Sequence, residues 1–327
     1  MEKQTITGLK VVSLFDGTAC GLQALKAAGV PVSEYHAFEN DKYAIQVAKK
    51  NHPEIIHHGE INFMTDFARF KGADLLIGGS PCQGFSFAGK QLNFSDPRSQ
   101  LFFEYVRAKK EIMPKNFLLE NVKMKNAYID VISDHLGLKP VLINSALVSA
   151  QNRNRYYWCN WEVNQPEDKK ILLKHIIHGG AVDRNKSYCI DANYYKGGNL
   201  KSYFEKGRRQ LVFDNKRVKS ITENNEGYRP HRGDLKSTGI SELGRILKAD
   251  AKTGSLTTSH APKIALNSDI KNLVYRKLTP VECERLQTLP DGYTEGVSNT
   301  QRYKMLGNGW TVDVLKHIFR EAGFGDS

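Results

Sequence analysis

Residues 9 to 29 read LKVVSLFDGTACGLQALKAAG, and this stretch decides the fold. Leu9 to Phe15 is short and rich in β-branched residues, lies between Gly8 and Gly17, and is predicted to be a strand. Leu22 to Ala28 is predicted to be a helix, stopped by Gly29 and Pro31. A strand, a glycine turn and a helix form the opening half of a βαβ unit. The same alternation continues outward. Tyr35 to Glu39 is the next expected strand and Lys42 to Asn51 the next helix. Ala73 to Ile77 is an apolar strand running into Gly78-Gly79, Leu101 to Ile112 is helical, and Asn116 to Glu120 is another strand. Strands alternating with helices imply an α/β, Rossmann-like domain, with a mostly parallel sheet and helices on both faces. Ligands of such sheets bind beyond the carboxyl ends of the strands, so the polar residues just after each apolar run are the candidate site.

The chain has 327 residues, long enough for about two domains and a core that needs no staple. Five scattered cysteines form no CxxC pair, and Met1 to Thr5 begins no apolar leader. These features point to a reducing cytoplasm, and no apolar run is long enough to span a bilayer. The formal charge is +12, and residues 166–275 carry +9 of it. Charge concentrated in one segment has two explanations: a solvated surface or a polyanion partner. Three regions are expected: 1–165, a catalytic and cofactor-binding domain; 166–275, a basic and irregular target-binding domain; and 276–327, a hinge that returns to the first domain. Thr279-Pro280-Val281-Glu282 is a helix start, with a Thr cap, Pro at the first helical position and Glu at the third. Thr311 to Phe319 is the final expected helix.

Six elements carry chemistry. Phe15-Asp16-Gly17-Thr18-Ala19-Cys20-Gly21 follows the first strand, but its glycine spacing is not GxGxxG. It is either a close-approach ligand loop or a plain tight turn. Glu39 ends the next strand, where a carboxylate suits ribose hydroxyls or is simply a surface glutamate. Glu60-Ile61 could meet an adenine amino group and ring. Cys82 lies in Gly79-Ser80-Pro81-Cys82-Gln83, on a loop at the ligand edge, where a thiolate is a competent nucleophile. Glu120 ends an apolar strand, an expensive place for a carboxyl without a partner. Arg153 and Arg155 alternate, so in a strand they share one face; a salt-bridged edge strand would explain them equally. His57-His58 and His175/His178 lack a convincing set of partners, so no metal is expected.

Taken together, the chain resembles the DNA (cytosine-5) methyltransferases along nearly its whole length. Phe15 to Gly21 is similar to that family's S-adenosylmethionine loop, Ser80-Pro81-Cys82-Gln83 to its Pro-Cys nucleophile loop, and Glu120-Asn121-Val122 to its catalytic Glu-Asn-Val. Gln151, Arg153 and Arg155 match its Gln-x-Arg-x-Arg, and Arg276 to Gln287 matches the segment that orients its target recognition domain. Gly307-Asn308-Gly309 resembles its closing turn. The resemblance implies catalytic roles for Cys82, Glu120, Arg153 and Arg155. It implies S-adenosylmethionine contacts from Phe15, Asp16, Gly17, Thr18, Ala19, Gly21, Glu39, Asn40, Glu60, Ile61, Ser80, Pro81, Leu101, Asn308, Trp310 and Thr311. It also implies double-stranded DNA as partner, base flipping, a loop from Phe85 to Ser99 that closes over the base, and action as a monomer without metal or membrane. RNA as substrate, or a silent DNA-binding relative, are the alternatives. The Asp in the first loop, Asn40, Tyr156-Tyr157-Trp158 and Trp310 look more like the family's animal de novo branch.

Overall fold

The computed structural model describes residues 8–62, 64–80, 97–200, 203, 206–214 and 274–324. The expected alternation is present: β1 (Leu9–Leu14), α1 (Cys20–Ala28), β2 (Val32–Phe38), α2 (Lys42–Asn51), β3 (Ile56–Gly59), β4 (Leu75–Gly78), α3 (Pro97–Ile112) and β5 (Asn116–Val122). The next elements are α4 (Asn126–Leu136), β6 (Val141–Asn144) and β7 (Asn154–Cys159). The seven strands form one sheet in the order β3-β2-β1-β4-β5-β7-β6. It is parallel except for β7, which runs antiparallel to both β5 and β6. The chain moves outward from β1 to β3 and then returns to place β4 on the other side of β1. The crevice between the ends of β1 and β4 is therefore the topological switch point, where this architecture binds ligands.

Alternation along the strands separates two apolar layers. Val11, Tyr35, Ala37, Leu75, Ile77 and Leu118 face one core. Val12, Leu14, Phe38, Leu76, Phe117, Leu119 and Trp158 face the other. The apolar runs Leu75 to Ile77 in β4 and Phe117 to Leu119 in β5 follow from this, because both of their faces are covered.

After β7, the described part of the basic segment packs on the main domain. Leu173, Ile176 and Ile190 enter the first core, and Ser187 donates its N–H to Ala150 O. A two-stranded antiparallel ribbon pairs β8 (Leu211–Phe213) with β9 (Tyr275–Lys277). The boundary drawn at 275/276 falls inside β9. The helix start at Thr279 forms as expected and opens α5 (Pro280–Leu286). Thr279 Oγ1 accepts from Glu282 N, and the Glu282 carboxylate accepts from Thr279 N at 2.7 Å. Two further helices follow, α6 (Asn299–Asn308) and α7 (Val312–Glu321). Helix α7 buries Val312, Val314, Leu315, Ile318 and Phe319 in the core that also holds Leu22 and Leu25 of α1, completing the return to the first domain.

Candidate active site

The sheet register builds the site. Leu14 of β1 lies opposite Phe38 of β2 and Gly78 of β4, Phe38 opposite Gly59 of β3, and Gly78 opposite Leu119 of β5. The next residue on each strand therefore falls in one row: Glu60, Glu39, Phe15, Gly79 and Glu120. Three of the five carry carboxylates, which suits a cationic, hydroxyl-rich ligand.

The first loop turns sharply. Phe15, Gly17 and Ala19 have φ of 59°, 61° and 62°, left-handed values that two non-glycine residues hold at a cost. Gly17 donates its N–H to Glu39 Oε2 at 2.8 Å, while Glu39 Oε1 accepts from the N–H groups of Asn40 and Asp41. Glu39 thus ties the first loop to the start of α2. Asn40 Nδ2 donates to Glu60 Oε1 at 3.0 Å, and Ile61 is buried beside them. Among the described residues a Cβ on Gly17 would meet nothing within 4 Å, so the turn is open at Gly17. A Cβ on Gly21 would lie 2.4 Å from Ile77 Cδ1, so the start of α1 needs glycine to seat against β4.

Asp16 is turned inward. Its Oδ1 accepts from Ser13 Oγ and from Tyr35 Oη, both at 2.6 Å, while Oδ2 is buried without a partner among the described residues. Burial pushes this carboxyl up to about 6 against the pull of those two hydrogen bonds, and the nearby Glu39 charge adds to the rise. Sequence inspection missed Tyr35 and Tyr293 as supports of this loop. Tyr293 Oη donates to Thr18 O at 2.7 Å from the far end of the chain. Tyr35 could have been found from strand alternation, which turns it to the same side as Ala37; nothing local marks Tyr293.

Across the switch point, Glu120 is 7% exposed. Arg155 Nε lies 2.9 Å from its Oε1, and Trp310 Nε1 donates to its Oε2 at 3.0 Å. Val122 pairs with Arg155 and Glu120 with Tyr157, so Glu120 and Arg155 are diagonal neighbours on one face. Burial works most strongly against the Arg155 charge, but the adjacent Glu120 carboxylate, together with Cys189 and Tyr157, raises the guanidinium above its ordinary value. Asn121 Nδ2 donates to both the carbonyl and the hydroxyl of Ser80 at 3.3 Å, clamping the chain just before the Pro81-Cys82 loop. Pro81, Cys82 and the stretch 85–96 lie outside the described residues. Leu101 is half-buried in α3 and Asn308 is exposed at the end of α6.

Arg153 is fully enclosed and makes no hydrogen bond to Glu120. It donates to the carbonyls of Ile190 at 3.1 Å, Gly307 at 3.2 Å and Gly309 at 2.7 Å. Burial, and then the neighbouring Arg155 charge, lower its affinity for its proton. Thr311 Oγ1 is tied to Gln287 Oε1 at 2.8 Å and Ser145 Oγ at 2.9 Å in a buried polar cluster, so its hydroxyl serves packing there. Trp310, expected to touch cofactor, bonds the catalytic candidate Glu120 through its indole N–H. His58, one of the histidines considered as ligands, bonds His36 and Arg69.

Comparison with known proteins bears on the family and the fold. The family model described as C-5 cytosine-specific DNA methylase matches residues 9–323. The chain is 31% identical to the type II methyltransferase M1.ScrFI of Lactococcus lactis subsp. cremoris, over 97% of this chain and 78% of that protein. It is 26% identical to the orphan methyltransferase M.SPRI of Bacillus phage SPR, over 96% and 97% of the two chains. The fold is similar to that of a Spodoptera frugiperda DNMT2, with a TM-score of 0.64 at 18% identity, covering 96% of this chain and 99% of that one. The sequence relatives are bacterial and phage proteins and do not support the expected closeness to the animal de novo branch. The residues that pointed there have local explanations: Asp16 is held by Ser13 and Tyr35, Asn40 by Glu60, and Trp310 by Glu120.

Proposed function

Since the chain belongs to the C-5 cytosine-specific DNA methylase family, and so is an S-adenosylmethionine-dependent DNA (cytosine-5) methyltransferase, we propose that it works through a covalent bond between Cys82 and a cytosine turned out of the duplex. The observation that supports this best is the restraint of Glu120. Its two oxygens are held by Arg155 and Trp310 at the sheet edge, and the adjacent Asn121 grips Ser80, two residues before Cys82.

The row of carboxylates and the open glycine turn fit the cofactor. Glu39 would face its ribose hydroxyls, Glu60 and Ile61 its adenine, and the Phe15–Gly21 loop its amino-acid end. Bound there, S-adenosylmethionine supplies an electrophilic methyl group on a sulfonium.

Carbon 5 of cytosine is too weak a nucleophile to take that methyl unaided. The Cys82 thiolate forms a bond to carbon 6, and the ring electron pair moves toward nitrogen 3 and oxygen 2. Glu120 enters carrying a proton, gives it to nitrogen 3 as that charge develops and takes it back after methylation, while its other oxygen accepts from the exocyclic amine; the Arg155 guanidinium faces oxygen 2. The resulting enamine makes carbon 5 nucleophilic. After methylation, loss of the carbon 5 proton to a base returns the electron pair to the ring, and Cys82 leaves as thiolate. Carbon 6 cannot be reached inside a duplex, so the base must flip, at a cost of a few kcal/mol. The basic segment 166–275 supplies phosphate contacts and a steep salt dependence. Most of it, 215–273, lies outside the described residues.

The test is transfer of labelled methyl to duplex DNA, with structured RNA as a competing substrate, alongside trapping on DNA containing 5-fluorocytosine. Wild type should form a denaturant-stable adduct and Cys82→Ser should form none. Normal turnover by Cys82→Ser would sink the covalent mechanism, and preferential labelling of RNA would reassign the substrate.

A further inference from the structure

We propose that Trp310 is a positioning residue for Glu120, and that Arg153 acts on the same carboxylate through the turn that carries Trp310. This rests on the role given to Glu120 above.

Glu120 meets two donors from two parts of the chain. Arg155 Nε approaches Oε1 at 2.9 Å from β7, and Trp310 Nε1 approaches Oε2 at 3.0 Å from the turn between α6 and α7. One donor alone would leave the carboxylate free to rotate; two fix its plane. The indole N–H donates only, so it holds Oε2 as an acceptor whatever else the oxygen meets. The indole itself has little freedom. A Cβ on Gly79 would lie 2.8 Å from its Nε1, and one on Gly21 3.4 Å from its Cζ3. Two glycines therefore wall the ring, and Trp310 is only 7% exposed.

The turn beneath the ring is pinned as well. Arg153 donates to Gly307 O and Gly309 O. Gln287 Nε2 donates to Gly309 O at 3.1 Å and to Leu306 O at 2.6 Å. The alternating arginines thus serve one carboxylate in two ways: Arg155 by contact, and Arg153 by fixing the backbone that delivers the indole. The chain reaches this turn only after residues 166–275, so the orientation of Glu120 depends on how the C-terminal segment docks.

The experiment uses the full chain. Trp310→Phe keeps an aromatic ring and removes the N–H; Arg153→Lys keeps the charge and loses the forked donors. For each, the rate of adduct formation on 5-fluorocytosine DNA is measured at saturating cofactor, beside equilibrium cofactor affinity and KM for DNA. Trp310→Phe should slow adduct formation about 10- to 100-fold, the effect expected of one lost hydrogen bond to a charged group. Cofactor affinity and KM for DNA should stay within about twofold of wild type, a much smaller change than that bond would produce. Arg153→Lys should show the same pattern to a lesser degree. An unchanged adduct rate, or a loss of cofactor affinity large enough to explain the slower rate, overturns the proposal. If wild type itself forms no adduct, the covalent mechanism fails instead, and single-turnover methyl transfer by the same variants decides the role of Trp310.

Discussion

Asp16→Asn should stabilise the protein increasingly as pH rises, and the size of the effect follows from the Asp16 surroundings. The carboxyl is buried, with Oδ1 satisfied by Ser13 and Tyr35 and Oδ2 unpartnered among the described residues. Among those residues the titratable groups that act on it and on Tyr35 are Glu39, Cys20 and the Tyr293 hydroxyl, none of them a cation. Burial raises it from 3.8 to about 6. Its proton is therefore held more tightly in the folded chain than in the unfolded one. Its stabilising contribution is complete below pH 3.8 and is lost as pH rises through about 6. Above that, ionised Asp16 costs about 3 kcal/mol, from 1.36 kcal/mol per pKa unit. About half of that loss falls between pH 5 and pH 8. Asparagine keeps an acceptor for Ser13 and Tyr35 and carries no charge. It leaves a buried amide group in place of Oδ2, a constant cost of about 1–3 kcal/mol. The diagnostic is thus the slope. In urea denaturation of the cofactor-free protein, the midpoint difference between variant and wild type should move in favour of the variant by up to about 0.5 M from pH 5 to pH 8. A difference that stays flat over that range refutes the burial argument.

Three further outcomes are expected. Thr311→Val should lower stability by about 1–3 kcal/mol through the lost bonds to Gln287 and Ser145, with cofactor affinity unchanged in a binding titration. Gly307→Ala should cost about 3 kcal/mol or more in thermal or urea unfolding, because its Cβ would stand 2.2 Å from the Asp191 carbonyl carbon, which is backbone and cannot swing away. Arg155→Lys should reduce kcat about 10²- to 10³-fold while cofactor binding persists, since lysine lacks the planar Nε donor that meets Glu120 at 2.9 Å; near-wild-type kcat would remove Arg155 from the mechanism.

Much of the fold is legible because local rules and tertiary context agree. Helix α2 runs from Lys42 to Asn51 as the pattern predicts, with Asp41 accepting from Tyr43 N and Ala44 N at its start. Strands β1 and β5 are of ordinary length, β4 is short but marked by Leu75-Leu76-Ile77 running into two glycines, and the capping box at Thr279 needs only four residues to declare itself. Less regular pieces escape notice. Strand β3 is four residues with two histidines, and β6 is four residues on the sheet edge, too short for any period to show. Their place comes from pairing with β2 and β7, which are themselves paired with β1 and β5.

The site divides the same way. Sequence alone determined where polar residues follow apolar strands. It therefore determined the row from Glu60 to Glu120, because a parallel sheet aligns the ends of its strands whatever the loops contain. What those side chains do with their hydrogen bonds was settled only by the folded chain. Arg153 and Arg155 look equivalent in the sequence, yet one holds a carboxylate and the other three backbone carbonyls. Trp310 looks like an aromatic beside a cofactor, yet its N–H points to Glu120, 190 residues away. Hydrogen bonds act over about 3 Å in space and carry no memory of separation along the chain, so partners brought together by the last helices cannot be seen until those helices are packed.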